Sequence, residues 1–348
     1  MMRVDVGYPR HVVRIGSATL PLRRRSLVVG ALLLAAIVVL AVVSLGLGTY
    51  SLTPGQVVRA LAGQGGALDR TVVLEWRLPR TLAAVLLGAV LAVAGALFQT
   101  VTRNPLASPD VLGLANGAFT GMLLAVVAGA ASWSLLTVGA VAGGVVAAAA
   151  IWLLAHRNGI SGFRLIIVGI GVSALLSSVN TWLLLQMELE TAMFASAWGA
   201  GSLNGVGAAA VRGAALCSLP LLAALAVLVP RLRQLDLGDD VAAASGARPE
   251  AVRRTALIVA VALVSIATAV IGPVAFVALA APQIARRLAR TPYLSLGLSA
   301  LTGAALLLVS DVIAQHVLPV ALPVGVVTVS VGGVYLVMMI VREIRRRA

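Results

Sequence analysis

Lysine is absent from this chain of 348 residues: all 26 basic side chains are arginine. Charge of either sign is scarce, at 11% of residues against 60% hydrophobic, and the mean hydropathy is +1.05. A chain with so little polar surface cannot stay dissolved as a globular domain, so it is an integral membrane protein. Its single cysteine, Cys217, falls inside an apolar run, which excludes a disulfide framework. Only three histidines occur, His11, His156 and His316, too scattered to form a metal-ligand cluster. No pair of carboxylates falls within an apolar run, and no nucleophile has a base at catalytic spacing. These gaps argue against an enzyme, a bound metal or a cofactor. There is no nucleotide-binding loop and no soluble segment of domain size, so any energy is supplied by another chain. The net charge of +14 does not read as nucleic-acid binding, because the arginines sit in short loops between apolar runs.

What the chain does contain is a series of long, non-alternating apolar runs. A helix needs roughly 20 residues to cross the hydrocarbon core, and such runs fit helices rather than barrel strands. Ten spans are expected, at about 26–47, 81–101, 111–130, 134–155, 165–187, 211–230, 255–272, 274–289, 294–313 and 323–341. The seventh and eighth are separated by Gly272-Pro273, where proline breaks the helical hydrogen bonding. With the N-terminus inside, the inner segments hold 21 of the 26 arginines, and the outer ones only Arg59, Arg70, Arg77, Arg80 and Arg212. That bias places both termini in the cytoplasm. Residues 1–25 read as a cytoplasmic segment and 26–345 as one ten-helix domain; the first apolar run is too long for a cleaved signal peptide. The fold class is therefore an all-α integral membrane protein. Small-residue spacings such as Gly88-x-x-x-Ala92 and Gly139-x-x-x-Gly143 predict close helix crossings.

Several polar features interrupt the apolar runs. In the outer segment 48–80, Thr53-Pro54 predicts a short helix with a threonine cap. The inner segment 231–254 contains Leu237, Gly238, Asp239, Asp240, Ala243, Ser245 and Gly246. Asp239 or Asp240 opens a short helix, Gly246 closes it and Pro249 opens a second, giving a small apolar knob. It reads as a plain polar loop or as a docking knob for a partner. Arg77 and Arg80, three apart, share a helix face at the outer surface. By themselves they read as headgroup anchors or as internal partners of Glu75. In the fifth span Ser173, Ser177 and Thr181 form a stripe with Asn180 beside it, and Asn116 and Thr120 form a weaker pair in the third. These six either line a pathway or hydrogen-bond helices together. Asp311, at the outer end of the ninth span, caps or pairs.

The ordered motifs resemble one family. Arg77-Leu78-Pro79-Arg80, Gly95 with Gln99, and Thr102-Arg103-Asn104-Pro105-Leu106-Ala107-Ser108-Pro109-Asp110 with Leu112-Gly113 are similar to the second span and following loop of the iron-siderophore and cobalamin permeases of ATP-binding-cassette importers. Leu237-Gly238-Asp239-Asp240 with Ser245-Gly246 resembles that family's cytoplasmic coupling loop. Trp198-Gly199 with Gly201-Ser202-Leu203-Asn204, Gly272-Pro273-Val274-Ala275-Phe276-Val277, Ala281-Pro282-Gln283-Ile284-Ala285-Arg286 and Leu322-Pro323-Val324-Gly325-Val326-Val327-Thr328 follow in the family's order. The similarity runs over about residues 27–345.

The resemblance implies a type II importer permease fold in the bacterial cytoplasmic (inner) membrane, in contact with membrane lipid. It implies two permease subunits, as a homodimer or heterodimer, and two copies of an ATPase subunit that grip the coupling loops. It also implies a periplasmic or lipid-anchored binding protein that docks on Arg77 and Arg80, with alternating access driven by ATP. Gln283 in Ala281-Pro282-Gln283, and Ser310-Asp311-Val312-Ile313-Ala314-Gln315, look most like a ferric-enterobactin type of subunit. A ferric siderophore is thus the expected cargo, with cobalamin or haem as alternatives. An ion-coupled secondary carrier would need ionisable residues buried in the spans, which are nearly absent here. A membrane-embedded enzyme would need a cluster of acids or histidines.

Overall fold

The apolar runs fold into a helical bundle whose axis is α4. The computed structural model describes residues 10–15, 18–110, 113–130, 132–155, 162–317 and 319–347; Leu112 and His156, named above, lie outside them. A hairpin precedes the bundle, with β1 (Arg10–Ile15) antiparallel to β2 (Ala18–Arg23) in the register Arg10↔Arg23 to Ile15↔Ala18. From α1 onward every described element is helical, so the expected all-α character holds for the membrane bundle, and the hairpin is confined to the segment before it. The first strand is rich in Val and Ile, and Gly16-Ser17 separates the two strands in the sequence, a turn pair that favours a hairpin.

α1 (Arg24–Gly46) leaves almost all of its side chains on the outside of the bundle, where lipid is the solvent. α2 (Pro54–Leu61) starts as expected. Thr53 accepts from the Gln56 amide, Gln56 reaches back to the Thr53 amide, and Pro54 opens the helix. α3 (Ala67–Arg70) runs through a π-helical turn, Thr71–Arg77, into α4 (Leu78–Thr102). The helix thus begins well before residue 81. Pro79 has no N–H to give to residue 75, and the wider turn ahead of it, closed by Leu78 N–H to Val73 O, lets the helix continue.

α4 is enclosed by α9 (Ala208–Leu235), α11 (Pro249–Ile271), α12 (Val277–Ala289) and α13 (Leu296–His316). Its fully buried side chains, among them Leu87, Val90 and Leu97, form the centre of the core with Leu263 and Leu307. α5 (Leu114–Val127) packs against α6 (Trp133–Ala155) through Gly117 and Gly121 on one helix and Gly139 and Gly143 on the other. Gly88 and Ala92 of α4 likewise meet Gly303 of α13, so both expected small-residue spacings are real crossings. α7 (Gly162–Leu185), α8 (Leu189–Gly199) and α14 (Val324–Arg347) complete the bundle.

Seven helices are individually long and apolar enough to cross a bilayer: α1, the continuous 67–102 helix, α6, α7, α9, α11 and α13. α5 and Val324–Met339 are apolar but shorter. α12 has 13 residues, roughly 20 Å of helix and too little to cross alone. The short helices are continued by irregular backbone inside the protein. Ser202 N–H donates to Ile271 O (2.7 Å), and Gly325 N–H donates to Gly201 O (3.1 Å). Non-helical chain at membrane depth is tolerated only when other protein groups satisfy it in this way. α9 and α11 overrun their expected ends at 230 and 255, reaching Leu235 and starting at Pro249. Their polar ends continue as helix beyond the apolar run.

Candidate functional site

The knob lies between those two overrunning helices. After α9 the chain turns at Gly238 (φ +106°), forms α10 (Asp239–Ala244), and turns again at Gly246 (φ +85°). Both glycines occupy the left-handed half of backbone space, where a side chain would be strained. Ala242 is the buried side chain of α10, and its carbonyl oxygen accepts from Ala247 N–H and Ser245 Oγ. Leu237, Val241, Ala243 and Ser245 are exposed, giving the small, largely apolar tip expected from composition. Asp240 is exposed beside it. The expected second short helix is instead the first turn of α11, opened by Pro249, so the knob is anchored directly to a long helix.

One carboxylate secures it. Asp239 Oδ1 accepts from Arg103 Nη2 and from Arg253 Nη2, each at 2.6 Å. Arg103 is the residue on which α4 ends, with φ +50°, and its Nη2 also donates to Leu235 O at the end of α9 (2.9 Å). Burial alone would raise the Asp239 carboxyl, but the hydrogen bonds and charges of Arg253 and Arg103 outweigh it and hold the group below the usual value. Beside this cluster is an open cavity of about 260 Å³, lined by Gln99, Arg103, Asp236, Gln283, Arg286 and Tyr293 among others. At its inner wall Gln283 Nε2 donates to Gln99 Oε1 (2.6 Å), and Gln99 Nε2 donates to Leu279 O (3.0 Å), so α4 and α12 are joined by buried amides.

At the opposite end of α4 the two arginines turn inward. Arg77 donates to Leu45 O (2.8 Å) and Tyr50 O (2.6 Å), closing the end of α1. Arg80 grips Asp311 with two prongs, Nε to Oδ2 at 2.9 Å and Nη2 to Oδ1 at 2.6 Å, and donates to Asn204 Oδ1 at 2.6 Å. Asp311 therefore pairs, as expected, but the internal partner of Arg80 is this residue of α13 and not Glu75. Each guanidinium remains partly exposed at the surface.

The polar stripe of α7 divides. Asn116 Nδ2 donates to Ser173 Oγ (2.8 Å), Thr120 Oγ1 donates to Asn180 Oδ1 (2.6 Å), and Asn180 Nδ2 donates to Asn116 O (3.2 Å). These four residues join α5 to α7. Ser177 and Thr181 stay exposed, and Thr181 Oγ1 bonds only to Ser177 O of its own helix (3.0 Å).

Two residues outside the expected site set join separate helices. Arg103 was legible only as a motif member. Asp110, between the α4 end and α5, sends Oδ2 to the Phe276 N–H (2.9 Å), the cap of α12, and Phe276 itself has φ +68°. The signal for it was an isolated acid bordering an apolar run. Among the described residues, no three His, Cys, Asp or Glu side chains converge to hold a metal ion.

Comparison with known proteins adds the wider context. Residues 34–342 match the FecCD transport family. The chain is 48% identical to the ferric enterobactin transport system permease protein FepG of Escherichia coli (strain K12), over 93% of this chain and 98% of that one. It is 36% identical to the ferric enterobactin transport system permease protein FepD of the same strain, over 92% of this chain and 97% of that one. A metal-chelate type ABC transporter solved in an inward-facing conformation superposes with a TM-score of 0.80 at 26% identity, over 90% of this chain and 99% of that one.

Proposed function

The chain belongs to the FecCD transport family, and on that premise we propose that it is the membrane permease subunit that carries a ferric siderophore through an ATP-binding-cassette importer. It is a multi-pass protein of the bacterial inner membrane and a transport component rather than an enzyme, as its relatives are. The observation that carries the siderophore reading is the 48% identity to a ferric enterobactin permease protein across nearly the whole of both chains.

The rest of the proposal is built on the site. Ten helices cross or enter the membrane, with both termini and the knob in the cytoplasm; the arginine bias supports this orientation. Two ATPase copies seat on the knobs of two permease subunits, with Leu237, Asp240, Ala243 and Ser245 forming the contact, while Gly238, Asp239 and Gly246 hold the coupling loop in the shape that presents them. Similarity to both FepG and FepD supports a heterodimer with a second permease. A periplasmic or lipid-anchored binding protein delivers the ligand to the outer rim. There Arg77 supplies the free positive charge, while Arg80 shapes the rim, its own charge being balanced by Asp311. Ser177 and Thr181, exposed on α7, face the pathway. Asn116, Thr120, Ser173 and Asn180 hold that wall in place.

The test is co-purification and uptake. The tagged chain extracted in mild detergent should bring down an ATPase and a second permease, and the complex in vesicles should import a ferric siderophore at the expense of ATP. Replacing Gly246 with tryptophan should abolish uptake while leaving binding-protein docking intact. Recovery of the folded chain alone, with uptake independent of ATP, would sink the importer reading.

A further inference from the structure

We propose that Asp239 is the tie through which displacement of the knob is transmitted to the bundle, its carboxylate joining α10 to α4 and α11 by way of Arg103 and Arg253. This rests on the importer reading, because it requires a partner that pushes on α10.

The geometry of the knob creates the need for such a tie. α10 is six residues long, buries one alanine methyl, and is bracketed by two glycines whose backbones lack side-chain constraint. A short helix between two such turns rocks when pushed at its tip. Among the described residues, the side-chain hydrogen bonds that connect α10 to other helices all pass through Asp239. Ser245 bonds only within the knob.

The partners of Asp239 are well placed to receive a push. Arg253 is in the first turns of α11 and mostly buried, with 16% of its side chain exposed. Arg103 ends α4 and simultaneously holds Leu235 O, so it touches α4, α9 and α10. One turn back along α4, Gln99 is bonded to Leu279 O and Gln283 of α12. A displacement of α10 that moves Asp239 therefore moves the cytoplasmic ends of α4 and α11 together, and α12 follows through the buried amides. A single exposed ion pair contributes little. Two guanidiniums sharing one oxygen, one of them already fixed to a neighbouring helix end, leave the knob far less freedom.

The assay uses the assembled complex in proteoliposomes, with loaded binding protein outside the permease face. Three quantities are read: ATPase recovered with the chain, ATP hydrolysed, and ligand imported per ATP. Asp239→Asn keeps the side-chain size and removes the charge. It should retain the ATPase and hydrolysis but lower ligand per ATP by about fivefold or more, the lower end of typical coupling between sites. Asp239→Glu should restore much of the ratio, which a purely structural defect would not predict. Arg103→Gln, made separately, should lower the ratio in the same direction and provides the reading if Asp239→Asn is recovered poorly. Wild-type ligand per ATP in both Asp239→Asn and Arg103→Gln would overturn the tie alone. A wild-type complex that recovers no ATPase would overturn the importer reading beneath it.

Discussion

Arg80 and Asp311, 231 positions apart, form a two-pronged ion pair near the start of α4, with Asp311 only 2% exposed. The pair joins α4 to α13, and through Asn204 it also fixes the loop after α8. Removing Arg80 leaves the buried Asp311 carboxylate without its cation, which costs about 3–5 kcal/mol, whereas removing Asp311 leaves a partly exposed guanidinium that keeps Asn204 and costs less. Arg80→Ala should lower the thermal midpoint strongly in detergent, and Asp311→Ala should lower it less. The double variant should be less destabilised than the sum of the two. Arg80→Lys should rescue poorly, because an ammonium cannot match both carboxylate oxygens. Additive losses in the double variant would contradict the pairing.

Arg77 gives the opposite expectation for docking. Among the described residues no carboxylate balances its guanidinium, which donates to the carbonyls of Leu45 and Tyr50. Arg77→Glu should weaken binding-protein docking at low salt, with the difference shrinking as salt is raised. Affinity unchanged at low salt would remove Arg77 from the docking surface.

Gly95 packs directly against the Ala278 carbonyl of α12, with no room for a Cβ. Gly95→Val should cost about 1–3 kcal/mol or prevent folding, because backbone cannot yield as a flexible side chain does. Gly171, within α7, has nothing within 4 Å of the same position. Gly171→Ala should be neutral or stabilising by up to about 1 kcal/mol. Paired melting curves of the two variants check this.

Asp110 caps α12 by accepting from Phe276 N–H. Asp110→Asn retains an acceptor oxygen and should fold and transport near wild type. Asp110→Ala leaves the amide unsatisfied at depth, with a cost of about 1–3 kcal/mol. Equal behaviour of the two variants would show that the hydrogen bond is not what the residue supplies.

The Asp239 tie has a defined pH window. Burial opposes its charge, the two arginines favour it more strongly, and the net folded value lies below 3.8. A depressed carboxyl contributes in full above its unfolded value, and its contribution is lost as pH falls through the folded one. Ligand moved per ATP should therefore not lose the Asp239 contribution between about pH 8 and pH 5 on the cytoplasmic side. A decline of the wild-type ratio near pH 6 that is absent from Asp239→Asn would contradict this.

The helices and the knob were legible because their signals are local. Apolar run length, the Thr53-Pro54 cap, Gly246 and Pro249 each act within a few residues of where they appear. The ends of α9 and α11 were misplaced because Arg231, Arg233, Arg253 and Arg254 end the hydropathy signal without ending the helix. The partners of Arg80 and Asp239 were hidden for a different reason. An ion pair 231 or 136 positions apart leaves no periodicity in one sequence. The α7 stripe shows the same limit. Spacing placed Ser173, Ser177 and Thr181 on one stripe, but only packing separates Ser173, held by Asn116, from the two that remain exposed.

The shortness of α12 has a consequence for biosynthesis. A 13-residue segment ending in Arg286 and Arg287 offers an insertion machinery too little apolar length to be released into lipid on its own. Its backbone at Phe276 is satisfied by Asp110, a residue made 166 positions earlier. The α11–α12 pair should thus enter the membrane as a hairpin, and only after the first half of the protein is already waiting to receive it. Synthesis order, N-terminal half first, is then a requirement of the fold: a chain circularly permuted to start between α7 and α8 should accumulate with α12 accessible to cytoplasmic labelling until its other half is complete.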